Sequence, residues 1–140
     1  MPALSGFRLT LPPGWRNAPS GLPGEAGRFE TDAASLIVLW VRGDAFLTLD
    51  GFADVARTPW IRGTEVRSTT RTVDRVRDRM LVDETTLGTV EGRAVVLRQF
   101  TAVAGTTGMA LLFRYIAPPD ERAALAEAAS IAASWQLTGP

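Results

Sequence analysis

Val90-Glu91-Gly92-Arg93-Ala94-Val95-Val96-Leu97-Arg98-Gln99-Phe100-Thr101-Ala102-Val103-Ala104-Gly105-Thr106-Thr107-Gly108-Met109-Ala110-Leu111-Leu112-Phe113-Arg114-Tyr115-Ile116 reads as a turn, a long strand, a second turn and another long strand. Both strands are rich in β-branched and aromatic residues, and Gly92 and Gly105 stand where a hairpin needs a permissive backbone. The stretch is therefore the middle of a sheet, and the remaining elements are placed outward from it.

Toward the N-terminus, Arg79 to Thr89 and Glu65 to Val73 continue the sheet through the connection Asp74-Arg75-Val76-Arg77-Asp78. Five arginines fall between Arg67 and Arg79, but Asp74, Asp78, Asp83 and Glu84 neutralise them and no aromatic residues interleave. The segment reads as a solvated sheet edge and not as a nucleic-acid surface. Thr48 is the N-cap of a helix predicted through Thr58, with Asp50 in its first turn, Leu49, Phe52, Val55 and Ala56 on one face, and Pro59 ending it.

Ser35 to Arg42 is apolar on both faces, so it must be covered on both sides. Gly6 to Leu11 alternates as a half-buried strand that Pro12-Pro13-Gly14 stops, and Arg28 to Thr31 is a short strand. Between them, Gly21-x-x-Gly24-x-x-Gly27 has the spacing of a phosphate cradle, but neither a helix nor a Lys accompanies it, and turn chemistry accounts for it. Toward the C-terminus, Pro118-Pro119-Asp120-Glu121 opens a helix. Its apolar stripe is Ala124, Ala128, Ile131 and Trp135 with Leu125 and Ala132 beside it, and residues 136–140 read as a terminal tail.

A chain of 140 residues is one domain, able to bury roughly two thirds of its unfolded surface without a metal or disulfide. Its 46% hydrophobic and 21% charged residues are ordinary for a globular protein, and a net charge of zero supplies no field to draw it to nucleic acid. The chain contains no Cys, no His and no Lys; all fifteen basic residues are Arg. A GC-rich genome accounts for that pattern, and its chemical consequence stands regardless. There is no Ser/His/Asp triad, thiolate, imidazole ligand, Schiff base or P-loop, so an enzyme here would run on carboxylates, Tyr115 and Arg. No cofactor or metal is expected. Met1-Pro2-Ala3-Leu4-Ser5-Gly6-Phe7-Arg8 lacks the charged and apolar regions of a signal peptide. No apolar run approaches the ~20 residues of a membrane span. A cytoplasmic location is expected.

Hairpin arithmetic gives a candidate polar site. A three-residue loop at Val90-Glu91-Gly92 sets Thr89 opposite Arg93, Thr86 opposite Val96, Glu84 opposite Arg98 and Val82 opposite Phe100. A three-residue loop at Ala104-Gly105-Thr106 sets Arg98 opposite Leu112, with Arg114 two positions along the same face. Glu84, Arg98 and Arg114 would then form a charged cluster on an apolar sheet surface, either as a salt-bridge network at a sheet margin or as an anchor for the polar group of a ligand, with Arg98 beside Phe100. Of the four Trp, Trp40 and Trp135 fit core positions, while Trp15 and Trp60 sit beside Pro-containing turns and plug the core edge.

The opening Phe7-Arg8-Leu9-Thr10-Leu11-Pro12-Pro13-Gly14-Trp15, the short helix after the third strand, the four long strands and the final helix closing on Ile131-Ala132-Ala133-Ser134-Trp135 resemble the PsbP/Mog/DcrB-like superfamily. The match spans nearly the whole chain as an order of elements, with F-x-L-x-L-P-x-G-W its most specific part. It departs in lacking the lipoprotein Cys of DcrB-type members, and Trp135 stands where an aromatic, often Phe, is usual.

The resemblance implies a single α+β domain over residues 1–140, with an antiparallel sheet of about six to seven strands flanked by two main helices. It also implies a family that mostly binds proteins: PsbP-type members associate with a photosystem, Mog-type members with a small GTPase. Cytoplasmic bacterial members of the Eag type serve as chaperones and adaptors that cradle apolar segments of secreted toxins on a curved sheet.

Two functions are carried forward. The first is a non-enzymatic protein-binding or adaptor module, chaperone-like, using an apolar sheet face with Trp40, Phe100, Met109 and Phe113 among its contacts. The second is a small-ligand-binding protein or carboxylate-based enzyme with Asp83, Glu84, Arg98 and Arg114 in a pocket. The partner is expected to be a protein, or a second copy of the chain burying an uncovered sheet face, with no nucleic acid and no membrane span.

Overall fold

Glu91 and Gly92 form the tip of the first central hairpin, both with positive φ, 51° and 79°. A two-residue turn of this kind has the twist that matches its flanking strands. Those strands are β6 (Arg79–Val90) and β7 (Arg93–Ala104), paired from Val90 opposite Arg93. Gly105-Thr106 makes the second two-residue turn, with Gly105 at φ 62°, and Ala104 opposes Thr107 at the start of β8 (Thr107–Ile116).

Each loop is one residue shorter than the three predicted, and the consequence is large. Glu84 faces Gln99, Arg98 faces Thr85 and Phe113, Arg114 faces Leu97, and Val82 faces Thr101. Successive side chains point to opposite faces, so a register shift of one residue puts Arg98 on the other side of the sheet from Glu84 and Arg114.

The structure, a computed structural model, describes residues 6–19, 25–43, 45, 47–76 and 79–138. Gly21 and Gly24 of the glycine-spaced loop, Arg77 and Asp78 of the basic connection, and the last residues of the tail lie outside them. Besides the central hairpins, the strands are β1 (Gly6–Arg8), β2 (Arg16–Asn17), β3 (Glu25–Glu30), β4 (Ala34–Arg42), β5 (Glu65–Val76) and β9 (Gln136–Thr138). Seven of them form one antiparallel sheet in the order β2-β3-β4-β8-β7-β6-β5, with β8 at its centre and the Arg-rich β5 on its edge. Within the segment read as a terminal tail, Gln136–Thr138 form β9, which pairs with β1, Phe7 opposite Leu137. The domain is α+β, as expected.

Two helices cover opposite faces. The first, α1 (Leu49–Ile61), begins as predicted, the Thr48 hydroxyl accepting from the Gly51 N–H at 3.2 Å. It runs past Pro59 for two further residues. Pro59 removes only the hydrogen bond to the carbonyl of Val55, which lies on the solvent side, and Trp60 holds the last turn against the sheet. The buried stripe is Phe52, Ala53 and Ala56; Val55, placed on that stripe by the sequence reading, is 67% exposed. The helix is rotated toward β7, where the Gln99 amide donates to the Ala53 carbonyl at 2.9 Å.

The second helix, α2 (Glu121–Ala133), is capped by Asp120, whose carboxylate accepts from Ala123 N–H at 3.1 Å. Its stripe Ala124, Ala128, Ile131 and Ala132 lies on the other face, with Trp135 fully buried just beyond it. Small residues let this helix approach the sheet closely, and the main core forms there from Leu36, Val38, Val96, Phe100, Met109, Leu111 and Phe113. A smaller core under α1 comprises Ile37, Leu39, Phe52, Ala56, Ala110 and Leu112. The doubly apolar strand β4 is thus buried on both sides over Leu36 to Leu39.

Candidate functional site

The residues singled out in the sequence divide between the two faces. On the α1 face, Glu84 is 3% exposed and is the hub of an ion network. Arg71, directly opposite on β5, contacts it through Nε at 3.2 Å and Nη2 at 3.3 Å, and Arg57 of α1 reaches it at 3.2 Å. Arg71 also holds Asp54 at 2.6 Å and Asp50 at 3.6 Å, tying both α1 acids to the edge strand. Burial acts to lower the Arg71 pKa, but the carboxylates of Asp54 and Glu84 outweigh it and the net shift is upward. Arg71 therefore stays charged, and the network clamps α1 to β5 and β6.

On the α2 face, Arg98 is bound by Asp83 in a two-pronged pair at 2.8 and 3.1 Å, and its Nη1 donates to the Leu125 carbonyl of α2 at 2.6 Å. Its guanidinium lies 5.0 Å from the centre of the Phe100 ring, which meets Phe113 edge-on at 5.9 Å. Tyr115 donates to Glu127 of α2 at 3.0 Å; burial first, and then the Glu127 charge, push its phenol pKa far above the ordinary tyrosine value. Every acceptor these groups need is already inside the fold.

The expected cluster of Glu84, Arg98 and Arg114 is consequently not assembled: Glu84 and Arg98 are used separately to dock the two helices, and Arg114 stands apart from both. Nor are the expected apolar contacts available. Phe100, Met109 and Phe113 are 5%, 0% and 0% exposed beneath α2, and the half-buried Trp40 packs against the same core. The sheet face carrying them is the covered one.

Uncovered apolar surface lies on the opposite face. The first helix sits over β6, β7 and β8, and beside it, where Val41 of β4 is half-buried, a groove of about 280 Å³ runs between the helix and that strand. Its floor is Leu39, Val41 and Leu112, and its wall is Phe52, Val55, Ala56, Pro59 and Trp60 of the helix. The lining has no charged side chain. Sequence reasoning treated Trp60 as a plug at a turn and Val55 as core; the signal that was available is that Val55 and Pro59, four residues apart, share one helix side. Farther along this face, Arg114 borders a separate polar depression with Arg93, Thr31, Asp32 and Ser35. Among the described residues, no cluster of His, Cys, Asp or Glu is placed to hold a metal ion, and no helix is long and apolar enough to cross a membrane.

No known protein family matches the sequence, and no curated protein matches it either. The fold does have solved counterparts. Cyanobacterial PsbP (CyanoP) from Synechocystis sp. PCC 6803 aligns with a TM-score of 0.65 at 12% identity, over 94% of this chain and 86% of that one. LpqN of Mycobacterium tuberculosis, a protein involved in cell envelope biogenesis, aligns with a TM-score of 0.64 at 14% identity, over 94% and 83%. A protein of Bacteroides thetaiotaomicron VPI-5482 aligns with a TM-score of 0.63 at 12% identity, over 94% of this chain and 44% of its own, so this chain spans less than half of that protein. At 12 to 14% identity these likenesses show that the chain shares its fold with these proteins.

Proposed function

We propose that this PsbP-like domain is a non-enzymatic protein-binding module, an adaptor of chaperone-like character, that receives an apolar segment of a partner protein in the groove between α1 and β4. The observation that carries the reading is the groove itself: an open, uncharged channel walled by Val55 and Trp60 and floored by Leu39 and Val41. The occupant is an extended, uncharged apolar stretch laid along β4, since a charged residue there would meet no partner in the lining. The ion pairs that fix α1 support the same reading, because they keep the groove wall in place before anything binds. A cytoplasmic location is part of this proposal; the envelope is the competing compartment, and fractionation of the host decides between them.

The test is affinity capture from the host with the wild-type chain and with Val55→Asp, a change at a solvent-facing position that leaves the core intact. A stoichiometric partner retained by wild type and lost by the variant, whose protected segment on proteolysis is apolar, supports the proposal. A partner retained equally by both overturns the groove as its seat. If nothing is captured and the chain runs as a dimer in sedimentation, the face is a self-association surface.

A further inference from the structure

Among the described residues, the half-buried arginines Arg28, Arg57, Arg71, Arg79 and Arg98 each reach a carboxylate or carbonyl acceptor within the chain. Arg114 is half-buried too, yet no acceptor among the described residues meets it, and its Nε is buried without a hydrogen-bond partner there. A buried donor N–H left without a partner is costly unless an acceptor arrives. The surroundings fit such an acceptor. Arg114 stands directly opposite Ser35 across the β4–β8 ladder, and the two line a depression of about 330 Å³ together with Arg93, Thr31, Asp32 and Ile116. Arg93 lies on the same sheet face, is exposed, and forms no ion pair with a described residue. The single acid of the lining, Asp32, is directed toward Arg16 at 3.4 Å.

We infer that this depression is an oxyanion-binding site, taking the carboxylate or phosphate group of a small molecule between the Arg114 and Arg93 guanidinium groups, with the Ser35 hydroxyl as a further donor. The planar fork of Arg114 suits two parallel N–H···O contacts, and Arg93 at the rim adds charge that draws an anion in. The site is distinct from the apolar groove and stands whether or not a protein occupies that groove.

The test is NMR titration of the full ¹⁵N-labelled chain with sodium phosphate, acetate and succinate in separate arms at fixed ionic strength, following the Arg Nε–H signals and the Ser35 amide. The expected result is a saturable shift at Arg114 and Ser35 in at least one arm, and the arm that saturates first distinguishes a phosphate ligand from a carboxylate. Arg114→Gln should weaken the binding read at Ser35 by about tenfold or more, and Arg93→Gln, at an exposed position that leaves the fold intact, by about threefold. Asp32→Asn, which removes the competing charge, should tighten it. Shifts that stay linear in every arm, or binding unchanged in Arg93→Gln and Asp32→Asn, would overturn the site.

Discussion

The ring of Phe52 lies against the bare backbone of Gly108, so close that a Cβ atom on that glycine would stand 2.6 Å from the ring. This contact seats the first turn of α1 on the centre of the sheet. It sets how far the helix leans from β4, and hence how wide the groove is.

Gly108→Ala should therefore destabilise the protein by about 1 to 3 kcal/mol, because the added methyl forces the ring and the helix with it to shift. Urea unfolding measures the loss. Phe52→Leu in the same background should recover part of it; a Gly108→Ala variant as stable as wild type would show that the contact is loose.

Glu84 is the buried acid on which Arg57 and Arg71 converge, so Glu84→Gln leaves two guanidinium groups facing a neutral amide. A loss of about 2 to 4 kcal/mol is expected, below that of a fully buried pair because both arginines keep some solvent contact. In a double-mutant cycle with Arg71→Met the two losses should fall short of adding.

Arg98 ties β7 to α2 through Asp83 and the Leu125 carbonyl. Arg98→Met should increase hydrogen exchange across α2 while leaving α1 protected, because the two helices are fastened on opposite faces by separate groups. Equal loosening of both helices would contradict that separation.

Tyr115 gives a pH signature. It is the chain's one tyrosine, and with no Cys or Lys present it is the one side chain that titrates between about pH 8 and 12. Its folded pKa is raised, so the stabilisation it contributes is complete below about pH 10, where the phenol of the unfolded chain is still protonated, and is lost as pH climbs toward the folded value. Stability should fall above pH 10 in wild type, with tyrosinate absorbance appearing together with unfolding. Tyr115→Phe, weakened at neutral pH by loss of the Glu127 hydrogen bond, should show no such alkaline decline.

The sequence by itself determined the long strands and the starts of both helices. Alternation placed the long strands, Thr48 started α1, the acidic turn around Asp120 started α2, and the apolar run Leu36 to Leu39 required cover on both sides, because these signals act over a few residues and need no distant contact. The composition also removed whole classes of chemistry before any fold was known. Only the tertiary structure decided the register and the sites. A loop of two residues at Glu91-Gly92 requires positive φ at a glutamate, which no local pattern announces; the twist of the sheet selects it, and that one residue sends Glu84 and Arg98 to opposite faces. The groove arises from where α1 comes to rest across the strands, fixed by contacts such as Phe52 on Gly108, and the Arg114 depression from strand neighbours such as Ser35, in both cases residues far apart in the chain.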